Sequence, residues 1–206
     1  MNHQKRTLET QFAKAYRTIS QAVNLAIAEH GQISSWDWKD SVPALEEQDA
    51  FVKKYLVPYL NVVKFCPTDK SVVGCLPDVE YGFVHGQSGV NYSAYERPQM
   101  LLADGSTMEI YFANTCLSRK ISCVDVHIDV NGHKKPNVIG RDVYGFSFYP
   151  VTNEFLPGGT VKEFDETLGK YKKTTSEELH AKCSEKGSSS WGCAARVVAD
   201  GFKINY

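Results

Sequence analysis

Apolar residues recur every three or four positions at Leu8, Phe12, Ala15/Tyr16, Ile19, Ala22/Val23 and Ala26/Ile27. That spacing predicts one amphipathic helix over about residues 6–30, with its apolar stripe facing a partner layer. Gly31 supplies the stop. Thr7 and Thr10 make a poor capping box, and no other start signal precedes the stripe. The pattern therefore reads as the lower half of a longer helix.

Residues 32–60 read as a second, broken helical region. Trp36-Asp37-Trp38 opens it, Pro43 suits a first turn, and Pro58 ends a stripe carrying Phe51, Val52, Tyr55 and Leu56. Residues 66–98 are punctuated by Gly and Pro and read as loop with one short helix. The alternation then changes to period two. "MLLADGSTMEIYF" predicts a hairpin turning on Asp104-Gly105. "CVDVHIDV" predicts a strand with Val124, Val126, Ile128 and Val130 on one face and Asp125, His127 and Asp129 on the other. Val143 to Tyr149 predicts a third strand, and residues 151–182 a charged, exposed excursion. Ala194 to Ala199 suits a helical turn, and Phe202, Ile204 and Tyr206 alternate as a last strand. The expected architecture is a single α+β domain over residues 1–206, a long N-terminal helix packed on an antiparallel sheet.

Composition narrows the function classes. With 23 Lys+Arg against 24 Asp+Glu in 206 residues, the formal charge is −1, which gives no electrostatic case for nucleic acid. The chain has no apolar run of membrane-spanning length and no export signal. Its six cysteines, Cys66, Cys75, Cys116, Cys123, Cys183 and Cys193, fall into three close sequential pairs without zinc-site spacing. Sequential disulfides in an oxidising compartment are the expectation, although six cysteines allow fifteen pairings. Disulfides without an export signal suggest that a targeting segment lies upstream.

Standard catalytic signatures are missing: there is no Gly-x-Ser-x-Gly, His-Glu-x-x-His or phosphate loop, and no enzyme is expected. Ser88, between Gly86 and Gly89, misses the nucleophile-elbow spacing and reads as a surface turn. Asp125, His127 and Asp129 share a strand face, a pattern that suits metal ligation or acid–base work but also any solvated face. In "DVNGHKKPNVIGRD", Asp129, Asn131, Asn137 and Asp142 offer oxygen donors around Gly132 and Gly140. That composition suits a hard cation such as calcium. It is not an EF-hand, and a plain Asx-rich turn is the competing reading.

Three stretches resemble type IV pilin-like proteins, in particular the type II secretion pseudopilins with a prepilin-type cleavage/methylation start. They are "NHQKRTLETQFAKAYRTISQAVNLA" (2–26), "IDVNGHKKPNVIGRDVYGFSF" (128–148) and "WGCAARVVADGFKINY" (191–206). The resemblance implies a pilin-like fold in which residues 1–30 are the C-terminal half of the assembly helix, with Leu8, Phe12, Tyr16, Ile19 and Val23 along it, and 31–206 the globular head. It implies partnership with other copies of this chain and with related pilin subunits in a filament. The full-length precursor would be held in the inner membrane by an apolar half-helix that cannot be mapped onto any residue here. It also implies a place at the cell surface, in the periplasm or outside the cell, and it adds weight to calcium at Asp129, Asn131, Asn137 and Asp142. The alternative function is an adhesin-like module that presents Trp36, Trp38, Tyr92 and Tyr95 to a glycan or host partner.

Overall fold

The computed structural model describes residues 3–86, 89–184, 186–187 and 190–206. Helix α1 spans His3–His30, and Gly31 leaves it in the left-handed region (φ +83°). Only glycine adopts that conformation without steric cost, which explains the stop. Helix α2 spans Leu45–Tyr55, and a one-turn helix at Val57–Tyr59 follows, with Pro58 cutting the helical run. Ten strands follow: β1 (Val62–Cys66), β2 (Gly82–Phe83), β3 (Gln99–Leu102), β4 (Thr107–Phe112), β5 (Val124–Asp129), β6 (Val138–Ile139), β7 (Val143–Tyr149), β8 (Glu154–Pro157), β9 (Val161–Asp165) and β10 (Lys170–Lys173). Helices α3 (Ser176–Lys182) and α4 (Cys193–Ala199) complete the chain.

Eight strands form one sheet in the order β1-β3-β4-β5-β7-β6-β2, with β8 also pairing β7. The sheet is mixed, because β6 runs parallel to both β2 and β7. This corrects the pilin-like expectation of a long helix on a small antiparallel sheet: the large mixed sheet dominates, and α1 is one layer against it. Two further expectations fail. Residues 151–182 hold β8, which joins the main sheet, and the separate β9–β10 hairpin. Residues 201–206 form no strand. Their polar groups are taken by side chains instead: Ile204 N–H donates to Glu9 Oε1 on α1, and Arg196 Nη2 donates to the Asn205 carbonyl.

Alternation on each strand sorts side chains to two faces. Met108, Ile110, Val126, Ile128, Tyr144 and Phe146 are buried on the face that α1 covers. Phe12 of α1 meets Tyr144 at 4.3 Å between ring centroids, and Trp36 lies over Tyr55 at 4.5 Å. Leu8, Phe12, Ile19 and Val23 are buried in this core, and Tyr16 packs beside Phe146 and Phe202. The residues expected to line the assembly helix thus face the sheet, leaving any contact with another subunit to the opposite side of α1. Trp36 and Tyr92 are buried and Trp38 is half-buried, so of the four aromatics expected at the surface only Tyr95, 37% exposed, lies there.

All three disulfides form in sequential order, Cys66–Cys75, Cys116–Cys123 and Cys183–Cys193. Each closes a short loop, and the last anchors the segment before α4 to the end of α3.

Candidate functional site

The face of the sheet turned away from α1 carries polar rows, and strand register places them. Pairing sets Gln99, Glu109, His127 and Gly145 in one line across β3, β4, β5 and β7. The next line holds Tyr111, Asp125 and Ser147. A cleft of about 570 Å³ lies over these rows, walled by Tyr95, Arg97, Trp191 and the backbone of Gly158 and Gly159.

Glu109 lies beneath the cleft floor and fixes two of its lining residues. It is 0% exposed, and both its oxygens are engaged, Oε1 by Arg97 Nη1 at 2.6 Å and Oε2 by His127 Nδ1 at 2.6 Å. Burial by itself raises a carboxyl's pKa, yet the His127 hydrogen bond and the Arg97 charge overcome it and hold Glu109 below its usual range. Arg97 is in turn sandwiched at 4.3 Å from the Tyr95 ring and 4.6 Å from the Tyr111 ring. A planar guanidinium suits such stacking better than an ammonium would. His127 is thus oriented by a buried carboxylate and faces Trp191, whose ring centroid lies 4.5 Å away.

Trp191 reaches the cleft because its loop lies against glycines. A Cβ on Gly159, which has φ +92°, would stand 2.5 Å from Gly192 Cα, and one on Gly158 would stand 2.7 Å from the Trp191 carbonyl oxygen. No larger residue allows that approach. Cys193, bonded to Cys183, pins the same loop. Beside it, Ser147 Oγ donates to Asp125 Oδ1 at 2.6 Å, which fixes a further hydrogen-bonding group in the floor.

The trio of Asp125, His127 and Asp129 does not act as one cluster. Asp125 and His127 line the cleft, whereas Asp129 is buried at the end of β5, beside the loop that leads to β6. The loop residues Asp129, Asn131, Asn137 and Asp142 do come together. Asp129 Oδ1 accepts from Asn131 N–H and Gly132 N–H, and Asp142 accepts from Asn137 N–H and Val138 N–H. Among the described residues no group of three or more His, Cys, Asp or Glu is gathered. Ser88 lies outside the described residues. Local sequence patterns do not reveal Arg97 and Trp191 in the cleft wall, nor Glu109 beneath its floor. Glu109 is the polar interruption in "TMEIYF", but its pairing with His127 is set by cross-strand register, and the Trp191 ring reaches His127 from a loop about 80 residues further along the chain.

The whole chain, residues 1–206, matches the model of a family described as "Family of unknown function (DUF6613)", and the protein belongs to that family. No curated protein and no solved structure matches it.

Proposed function

We propose that this protein is a ligand-binding module of an oxidising compartment, and that the cleft over β4, β5 and β7 takes a polar ligand with an apolar face, of which a saccharide is the best-fitting class. The observation that carries the reading is Trp191 standing over a floor of oriented polar groups, His127, Asp125 and Ser147, in one open cleft. An aromatic face covers the C–H surface of a sugar ring while fixed donors and acceptors take its hydroxyls. Binding rather than turnover is the reading, since the neighbouring hydroxyl, Ser147, donates to Asp125 and not to the His127 imidazole. The three disulfides support a place at the cell surface, in the periplasm or outside the cell. Glycan-array binding by the intact protein, lost on Trp191→Ala, is the expected result. An array on which wild type and Trp191→Ala are equally silent, or equally bright, ends the reading.

A filament subunit is the second reading, supported by a groove of about 860 Å³ along the outer side of α1, between Lys5, Lys14, Arg17 and the tail residues Phe202 and Lys203. A neighbouring copy docked there would leave the α1 core stripe untouched. The coding sequence upstream of Met1 tests it: a basic leader and about twenty apolar residues are required for a membrane-held precursor, and their absence ends this reading.

A further inference from the structure

The two loops that flank β6 pack a second polar cluster against the far end of the sheet, and its hydrogen-bond accounting does not close. Asp129 and Asp142 are both buried, and no Lys, Arg or His forms an ion pair with either among the described residues. Burying two carboxylates side by side without a cation is costly.

Acceptor oxygens around the pair are also left over. Thr107 is the cross-strand partner of Asp129, shares its sheet face and is 0% exposed, yet its Oγ1 has no hydrogen-bond partner among the described residues. Among the same residues Asn131 Oδ1 and Asn137 Oδ1 are buried without partners too, Asn137 being only 9% exposed. The Asn131 side chain borders Asp142 and donates its Nδ2 to the Lys135 carbonyl, which leaves its oxygen for something else. A buried amide oxygen with nothing to accept is a cost that native structures rarely leave standing. Orphaned oxygens beside two buried carboxylates that accept hydrogen bonds but meet no cationic side chain have one simple common remedy, a bound cation.

We propose that Asp129 and Asp142, together with the side-chain oxygens of Asn131, Asn137 and Thr107, hold a calcium ion between the β4–β5 ladder and the two loops that flank β6. Calcium takes six to eight oxygens in flexible geometry, so five side-chain oxygens leave room for main-chain carbonyls or water. Oxygen-only ligands select against zinc and copper, and the smaller magnesium ion, which keeps its water shell, is held less well. The exposed Lys134 and Lys135 point to solvent and do not occupy the site. The site stands apart from the cleft and is linked to it through Tyr81, whose hydroxyl donates to Asp129 Oδ2 and whose ring lies 5.1 Å from Tyr92.

The test is a thermal melt and a calorimetric titration of the chelator-treated protein with calcium chloride, beside Asp142→Asn and Thr107→Val. A hundredfold excess over Kd raises the wild-type melting point by about 5–10 °C. Asp142→Asn melts no lower than wild type in chelator but loses the calcium shift, and the near-isosteric Thr107→Val binds about tenfold more weakly. Terbium luminescence sensitised by Tyr81 gives a second readout and is competed by calcium. No heat and no shift for wild type overturns the proposal, as does an equal shift in Asp142→Asn. If Asp142→Asn does not fold, calcium affinity unchanged in Thr107→Val overturns it instead.

Discussion

Replacing Arg97 with methionine removes the guanidinium from Glu109 while keeping the length and packing of the side-chain stem. Glu109 is 0% exposed, so it then sits in the sheet with His127 as its one remaining partner. Breaking a buried pair by removing one partner costs about 3–5 kcal/mol. The Arg97 side chain is 25% exposed and His127 still serves Glu109, which moves the expectation to the low end of that range. The lost contacts with the Tyr95 and Tyr111 rings add about 0.5–1 kcal/mol each. A total of about 4–5 kcal/mol corresponds to a fall in melting point of about 8–20 °C for a chain of this size. Urea denaturation with matched m-values measures it. The double variant Arg97→Met/Glu109→Gln, which removes the uncompensated charge, should recover about half the loss. A cost below about 1 kcal/mol for Arg97→Met, or no recovery in the double variant, refutes the view that Glu109 is a buried charge held by its partners.

Further expectations follow from the same contacts. Glu109 is depressed below its usual 4.5, so the unfolded chain takes its proton first: the stabilisation is present above about pH 4.5 and is lost as pH falls through the lower folded value. The stability difference between wild type and Glu109→Gln, read by urea denaturation followed by circular dichroism, should therefore be full at neutral pH and close as pH falls below about 4.5. Removing Cys183–Cys193 by double alanine substitution opens a loop of ten residues and costs about 2.5–3 kcal/mol on the chain-entropy model, while weakening ligand binding through the adjacent Trp191. Phe12→Ala empties the ring from the core between α1 and β7 and costs about 3–5 kcal/mol, without changing cleft affinity in a titration. Trp191→Ala, by contrast, should leave the melting point within a few degrees and lower ligand affinity about ten- to hundredfold.

What the sequence disclosed and what it hid follow from the range of the interactions involved. The α1 stripe, the Asp104-Gly105 hairpin, the alternation of β5 and the run of β7 are local patterns, and each was legible. So was the order of the disulfides, because each closes a short loop. Strand β1 was hidden, since "VVKFC" follows directly on the helix-ending Pro58 and shows little alternation. The two-residue strands β2 and β6 exist only because a parallel neighbour pairs them. Phe202, Ile204 and Tyr206 alternate as a strand does, but Glu9 takes the Ile204 N–H and Tyr206 O–H donates to the Gly140 carbonyl, so no ladder forms. The same limit governed the site. Asp125 and His127 were visible as one face of a strand, whereas the carboxylate that orients His127 comes from β4 and the ring that covers it comes from the loop before α4. Register and long-range packing, not local spacing, assemble the cleft.

The most direct test of the cleft as the working site is amide chemical-shift mapping with the saccharide that binds best on the array. The account predicts saturable shifts gathered at Gly145, Gly158, Gly192 and the Trp191 indole, and their loss in Trp191→Ala. Shifts confined to α1 and the tail, or no saturable shift at any concentration, would contradict it.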